Sequence, residues 1–289
     1  MAQNERFYDL SGSLTYLSCT ALSLFLPAIR ARSAAALIGA PKSVWPSLLS
    51  ALNGTGGPLG FNWRQVALSA AVSIWATRLG TYLFQRISAD GSDSRFDRIK
   101  KSPPSFFGAF MAQATWVSLC LMPVLAVNSV PASVFTSLGS AVSVMDVVGI
   151  LLYMGGLSFE VTADRQKDKW VQEKKRKEHE EEFLTRGLWS KSRHPNYFGE
   201  STLWTGIATA AAGVLASKAG TAGMGLASGA LASKAIALLA AGISPAFVTF
   251  LLLKVSGVSL SEKKYDKRYG DREDYKKWKR DTPMFFPKF

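Results

Sequence analysis

Apolar residues in this chain fall in blocks instead of helical stripes. Six runs of about twenty mostly uncharged residues stand out, near 11–29, 64–85, 106–128, 139–160, 198–217 and 236–256. Water-soluble helices show one apolar stripe and one polar face. An uncharged run of this length, wound as a helix, matches a hydrocarbon core about 30 Å thick. The pattern therefore predicts an all-α, polytopic transmembrane bundle of about six spans. Residues 1–289 read as a single integral membrane domain with a polar tail over 257–289.

Charge sharpens this picture. The formal net charge of +13 raises the question of nucleic acid, because basic surfaces release counterions from phosphates. The cations answer it by their placement, crowding into 86–101, 165–193 and 262–288, each between or after apolar runs. If each run crosses once, all three segments share one face, which the positive-inside tendency puts in the cytosol together with both termini. No nucleic-acid partner is expected; the partners are membrane lipids and a hydrophobic lipid substrate, and oligomeric state is left open. Cys19 and Cys120 lie inside apolar runs without metal-ligand spacing, so they read as packing residues and no metal site is expected. Residues 1–10 carry Glu5 and Asp9 with no cleavage pattern after them, so the first span is expected to act as the targeting signal.

The densest chemistry lies in Gly187–Glu200. This stretch supplies Arg193, His194, Asn196, Tyr197 and Glu200 at the edge of an apolar run. Pro195 suits the first turn of a helix, where its missing N–H costs nothing. Arg78 sits about two turns inside an apolar run, where an uncompensated charge costs about 2.5 kcal/mol or more, so it is expected to face the bundle interior. Tyr82, four residues on, shares its face. Glu160 and Asp164 share another helical face, with Arg165 and Lys167 close behind. Asp9 reads as a helix N-cap. Gln113 reads as a cross-helix hydrogen-bonding group, and Asp146 as a polar exception near the lumenal boundary.

Other features carry less. The charge run 169–182 reads as a solvated helix in which His179 has no catalytic part. Asn53-Gly-Thr55 fits the glycosylation acceptor pattern in a segment expected to be lumenal. Gly54–Gly60 lacks the strand and acidic position of a dinucleotide-binding unit. The Gly-rich connection 218–234 reads as close helix packing, and the aromatic and basic tail as a segment that snorkels to headgroups or folds back as a lid.

Arg193-His-Pro-Asn-Tyr-Phe-Gly-Glu200 resembles the signature of the steroid 5-alpha-reductase-like membrane proteins, particularly their uncharacterised microbial, fungal and plant branch. Trp75–Gly80, Phe159–Lys167 and the tail from Ser256 to Met284 are similar to the same branch, so the resemblance covers most of 62–289. The looser Arg-His-Pro-x-Tyr-x-Gly form also occurs in isoprenylcysteine carboxyl methyltransferases. The resemblance implies an enzyme that uses NADPH to reduce a conjugated carbon–carbon double bond in a sterol-like or polyprenoid lipid, from an endoplasmic reticulum membrane with a cytosol-facing site. It implies cofactor contacts from Arg78, Tyr82, Asp164, Arg165, Arg193, His194, Asn196, Tyr197 and Glu262, with Tyr197, Glu200 or Asp9 as the acid. The alternatives are a methyltransferase using S-adenosylmethionine and a non-enzymatic lipid-binding protein.

Overall fold

The computed structural model describes residues 7–41, 44–52, 60–90, 96–99, 101–139 and 141–289. The glycosylation pattern at Asn53–Thr55 and most of the glycine run after it lie outside the described residues. Within them every regular element is helical. In chain order these are α1 (Tyr8–Leu37), α2 (Leu48–Leu52), α3 (Trp63–Asp90), α4 (Phe96–Ile99), α5 (Pro103–Ser129), α6 (Ala132–Leu138), α7 (Val144–Lys175), α8 (Pro195–Leu215), α9 (Lys218–Gly223), α10 (Leu231–Phe250), α11 (Val258–Tyr269) and α12 (Glu273–Asp281). A 3₁₀ turn, Gly187–Ser190, precedes α8, and a π turn, Leu251–Val255, prolongs α10.

Each of the six apolar runs becomes a long helix. Among the described residues, four helical stretches are long and apolar enough to cross a membrane: Tyr8–Leu37, Pro103–Ser129, Val144–Lys175 and Leu231–Tyr269. The chain is a polytopic helical membrane protein. α3 and α8 fill the other two expected spans but are less apolar, the first because it carries Arg64, Arg78 and Arg86, the second because it is rich in Thr and Gly and holds Asn196 and Glu200. The helix starts follow local chemistry. Ser102 caps α5, its Oγ accepting from Ser105 N–H at 3.4 Å ahead of two prolines. Asp9 does not cap α1: the cap position is Phe7, without a side-chain bond, and Asp9 lies in the first turn, where its charge still complements the helix dipole.

The chain divides into two compact units, Met1–Asp146 with Thr209–Ser244, and Val147–Ala208 with Pro245–Phe289. In the first unit α1, α3 and α5 pack around Tyr16, whose ring meets Trp75 and Trp116 edge-on at 5.1 and 5.5 Å. Gln113 does bond across helices, donating to Tyr8 O at 2.9 Å and accepting from Ser11 Oγ at 3.2 Å. Asn128 Nδ2 donates to Ser23 and Ser69 in the same interior. Arg64 grips Asp146 from two nitrogens, Nε to Oδ1 at 3.0 Å and Nη2 to Oδ2 at 2.8 Å, and the pair is 5% and 2% exposed. Nη2 also donates to Ala141 O at 2.7 Å, while Ser143 donates from N and Oγ to Asp146 Oδ2. Such a pair tolerates burial because every charge meets several partners.

In the second unit α7 and α8 press backbone to backbone. A Cβ on Gly156 would lie 2.4 Å from Leu203 N, and one on Gly199 would lie 2.6 Å from Glu160 N. Beyond the π turn, Phe183, Tyr269 and Tyr275 form a buried aromatic cluster, with Tyr265 and Trp278 against it, and fasten the tail. The segment 176–186 is tied down too: Lys174 bonds Glu182, Arg186 bonds Glu181, and Tyr269 donates to Glu182 O at 3.0 Å.

Candidate functional site

Pro195 opens α8, so Asn196 and Tyr197 occupy its first turn and Arg193 and His194 lie just ahead of it. The C-terminal segment clamps this approach. Arg193 N–H donates to Pro283 O at 2.9 Å, Lys288 N–H to Lys191 O at 3.0 Å, and Ser192 Oγ to Phe285 O at 2.9 Å. Ser192 Oγ in turn accepts from His194 N–H at 3.1 Å.

Glu262, on α11, is the hub of the side chains. Its Oε1 accepts from His194 Nε2 at 2.9 Å, and its Oε2 lies 3.4 Å from Arg193 Nη1 and 3.3 Å from Lys279 Nζ. An ionised carboxylate only accepts, so the imidazole proton sits on Nε2 and the neutral ring keeps Nδ1 as an acceptor. Burial holds His194 below its ordinary value, Arg193 and Lys167 push the same way, and the Glu262 hydrogen bond works against them. The Tyr197 ring stacks on the imidazole, 5.6 Å between centroids and 6° between planes. It rests against Gly257, where any Cβ would come within 2.8 Å of the phenol ring. On the α7 side, Asn196 Nδ2 donates to Asp164 Oδ1 at 3.2 Å, and Lys167 lies over the Trp189 ring at 5.4 Å.

These groups surround a cavity walled by Lys167, Trp170, Trp189, Arg193, His194, Asn196, Tyr197, Glu262, Tyr265 and Trp278. Its enclosed space is about 40 Å³, room for about three waters. Three buried polar atoms on its walls have no partner among the described residues: Arg193 Nε, Asn196 Oδ1 and Trp278 Nε1. Buried polar groups are nearly always satisfied, so two donors and an acceptor left over around one cavity are groups suited to a ligand.

The structure therefore brings together Asp164, Arg193, His194, Asn196, Tyr197 and Glu262, with Asp164 standing behind Asn196. Arg165 is exposed and is not part of the cavity wall, and Glu200 lies half-buried farther along α8, also outside the wall. Asp9, Arg78 and Tyr82 belong to the first unit, where the Arg78 guanidinium lies 5.7 Å from the Tyr82 ring centroid, as their shared face predicts. His179 stacks on Trp170 and bonds its carbonyl at 3.0 Å, which makes it part of the loop's fastening. Sequence reasoning missed the indoles of the wall, Trp170, Trp189 and Trp278, and Lys279, which pairs with Glu262. Their signal was tryptophan inside charged segments, where solvation alone does not call for it.

Fold and site together define a helical membrane protein with a polar, aromatic-walled cavity at the junction of α7, α8 and the C-terminal segment. A family model described as "Protein of unknown function (DUF1295)" matches residues 43–226 and 222–282, and the chain belongs to this family, which is steroid 5-alpha-reductase-like. No curated protein and no solved structure matches it.

Proposed function

We propose that the cavity binds the phosphorylated cofactor NADPH and that the protein reduces a carbon–carbon double bond conjugated to a carbonyl in a sterol-like or polyprenoid lipid. The observation that carries this reading is the convergence of Arg193, His194, Asn196 and Glu262 on one cavity with Arg193 Nε and Asn196 Oδ1 left over. Lys167 and Arg193 suit phosphate oxygens, while Asn196 suits a carboxamide or base edge. NADPH supplies a hydride when bound. The chain's own part is to hold the cofactor, exclude water and place an acid at the carbonyl. Of the three candidate acids, Tyr197 lines the cavity and Glu200 does not; Asp9 belongs to the other unit. Tyr197 is thus the acid this reading favours, its ring held by His194 and Gly257.

A space for about three waters does not hold a nucleotide. On this reading the segment carrying Trp278 and Lys279 is a cover that shifts outward when the cofactor enters. We place the site on the cytosolic face of an endoplasmic reticulum membrane, on the positive-inside argument and the family likeness.

One observation favours a second reading. Trp170, Trp189, Tyr197, Tyr265 and Trp278 line the cavity, and an aromatic wall attracts a sulfonium cation as well as it stacks a base. A methyltransferase using S-adenosylmethionine fits that wall. Thermal melting of the detergent-purified protein with NADPH, NADH and S-adenosylmethionine separates the two, because a ligand at about 100 times its Kd adds about 2.7 kcal/mol. A shift with NADPH alone supports the reductase, and a shift with the methyl donor alone replaces it by the methyltransferase. No shift with any of the three removes both and leaves a lipid-binding protein. Arg193→Ala is expected to abolish the NADPH shift; an unchanged shift takes Arg193 out of the site.

A further inference from the structure

α11 sorts its charges by side. Its two carboxylates face the fold: Glu262 meets His194, Arg193 and Lys279, and Asp266 accepts from Tyr275 Oη at 2.9 Å and from Lys279. Arg268 leans back to Glu182 at 3.6 Å. Lys263, Lys264 and Lys267 are exposed, and none meets a carboxylate within ion-pair distance among the described residues. With Leu260, half exposed, they form a single stripe at the i, i+3, i+4, i+7 spacing of one helical face. With both acids engaged by groups on neighbouring segments and the three lysines outside ion-pair distance of any described carboxylate, that stripe is cationic.

Position says what that side meets. α11 follows directly on the apolar stretch that ends in the π turn, whose Lys254 is exposed as well. Lys263 lies only eight residues past Val255, with the bend at Ser256 and Gly257 between them, so the chain keeps it close to the end of the apolar stretch and to the headgroup layer. A lysine there is held against the bilayer by the chain itself, at an effective concentration no soluble polyanion matches.

We propose that the outer face of α11, through Lys263, Lys264 and Lys267, docks on acidic phospholipid headgroups of the bilayer that this chain crosses. Clustered lysines beside a span recognise anionic lipid by the summed attraction of each charge to the surface. Docking of α11 steadies Glu262 and, through it, the His194 and Arg193 side of the cavity. The proposal stands whichever cofactor the cavity takes.

The test uses the full chain in nanodiscs of phosphatidylcholine alone and of phosphatidylcholine with phosphatidylserine, read by amide hydrogen exchange over 258–269. Exchange is expected to slow at least about fivefold in the serine-containing discs and to recover with added salt. Lys263→Gln, Lys264→Gln and Lys267→Gln together are expected to erase the difference while exchange over 103–129 stays as in the parent. The corresponding three arginine substitutions are expected to retain it. Equal exchange in the two discs, or a difference that survives the glutamine triple, overturns the proposal. So does equal slowing by soluble heparin in phosphatidylcholine discs, which would mark a polyanion partner in place of lipid.

Discussion

The two units each bury an arginine against a carboxylate, and they do it differently. Arg64 and Asp146, in the first unit, form a closed set in which Asp146 takes two arginine nitrogens and both Ser143 donors, while the guanidinium also reaches the 139 and 141 carbonyls. Arg193 and Glu262, in the second, are less complete: Glu262 is shared among two cations and the His194 imidazole, and Arg193 keeps a buried Nε with no partner among the described residues. A fully partnered buried charge holds helices in place and has nothing left to offer. A buried charge with capacity to spare, beside a cavity, is available to something that arrives later. That difference separates architecture from a site more reliably than burial or charge alone.

The comparison can be broken at either end. Arg64→Ala strands the Asp146 carboxylate among apolar helices and is expected to cost about 3–5 kcal/mol in detergent unfolding, with much of the loss recovered when Asp146→Leu is added. A small loss would mean that the closed set does not organise the first unit. A middle-sized effect comes from pH. His194 is held neutral below its ordinary value, so it binds fewer protons folded than unfolded; its contribution is present above about pH 6.5 and is lost as pH falls through the folded value. Proteolysis of the C-terminal segment is therefore expected to quicken on acidification, and His194→Gln is expected to flatten that response. The smallest effect sharpens the contrast. Trp278→Phe removes an N–H that has no partner together with part of a ring packed on Phe183 and Tyr275, so stability is expected to fall by about 1 kcal/mol, the packing loss alone, while any ligand that uses the indole loses affinity. A large destabilisation would show the indole already satisfied and weaken the case for spare capacity.

Much of the fold was legible because membrane helices announce themselves by length, and all six apolar runs matched long helices. Their ends were not, since α7 continues through the charged residues 161–175 where hydropathy alone stops. The Arg193–Asn196 side of the site was legible as a dense polar stretch, but its link to Glu262 spans 68 positions and came only through family likeness. Arg64–Asp146, separated by 82 positions, was open to inference and was missed. Arg64 opens the second run and Asp146 lies in the first half of the fourth, so alternating spans put them toward the same side of the membrane. The Asp9 cap failed for a local reason: the cap position lies two residues earlier, at Phe7, than the polar signal suggested.

The wide turn at Leu251–Val255 sets the phase of everything after it. Each residue in an α-helix advances the chain by about 100°. Removing one residue there, restoring ordinary winding, would swing α11 through that angle about its axis, carrying Glu262 off His194 and turning lysines toward the imidazole. A register choice made inside the apolar stretch thereby decides which sign of charge the cavity sees.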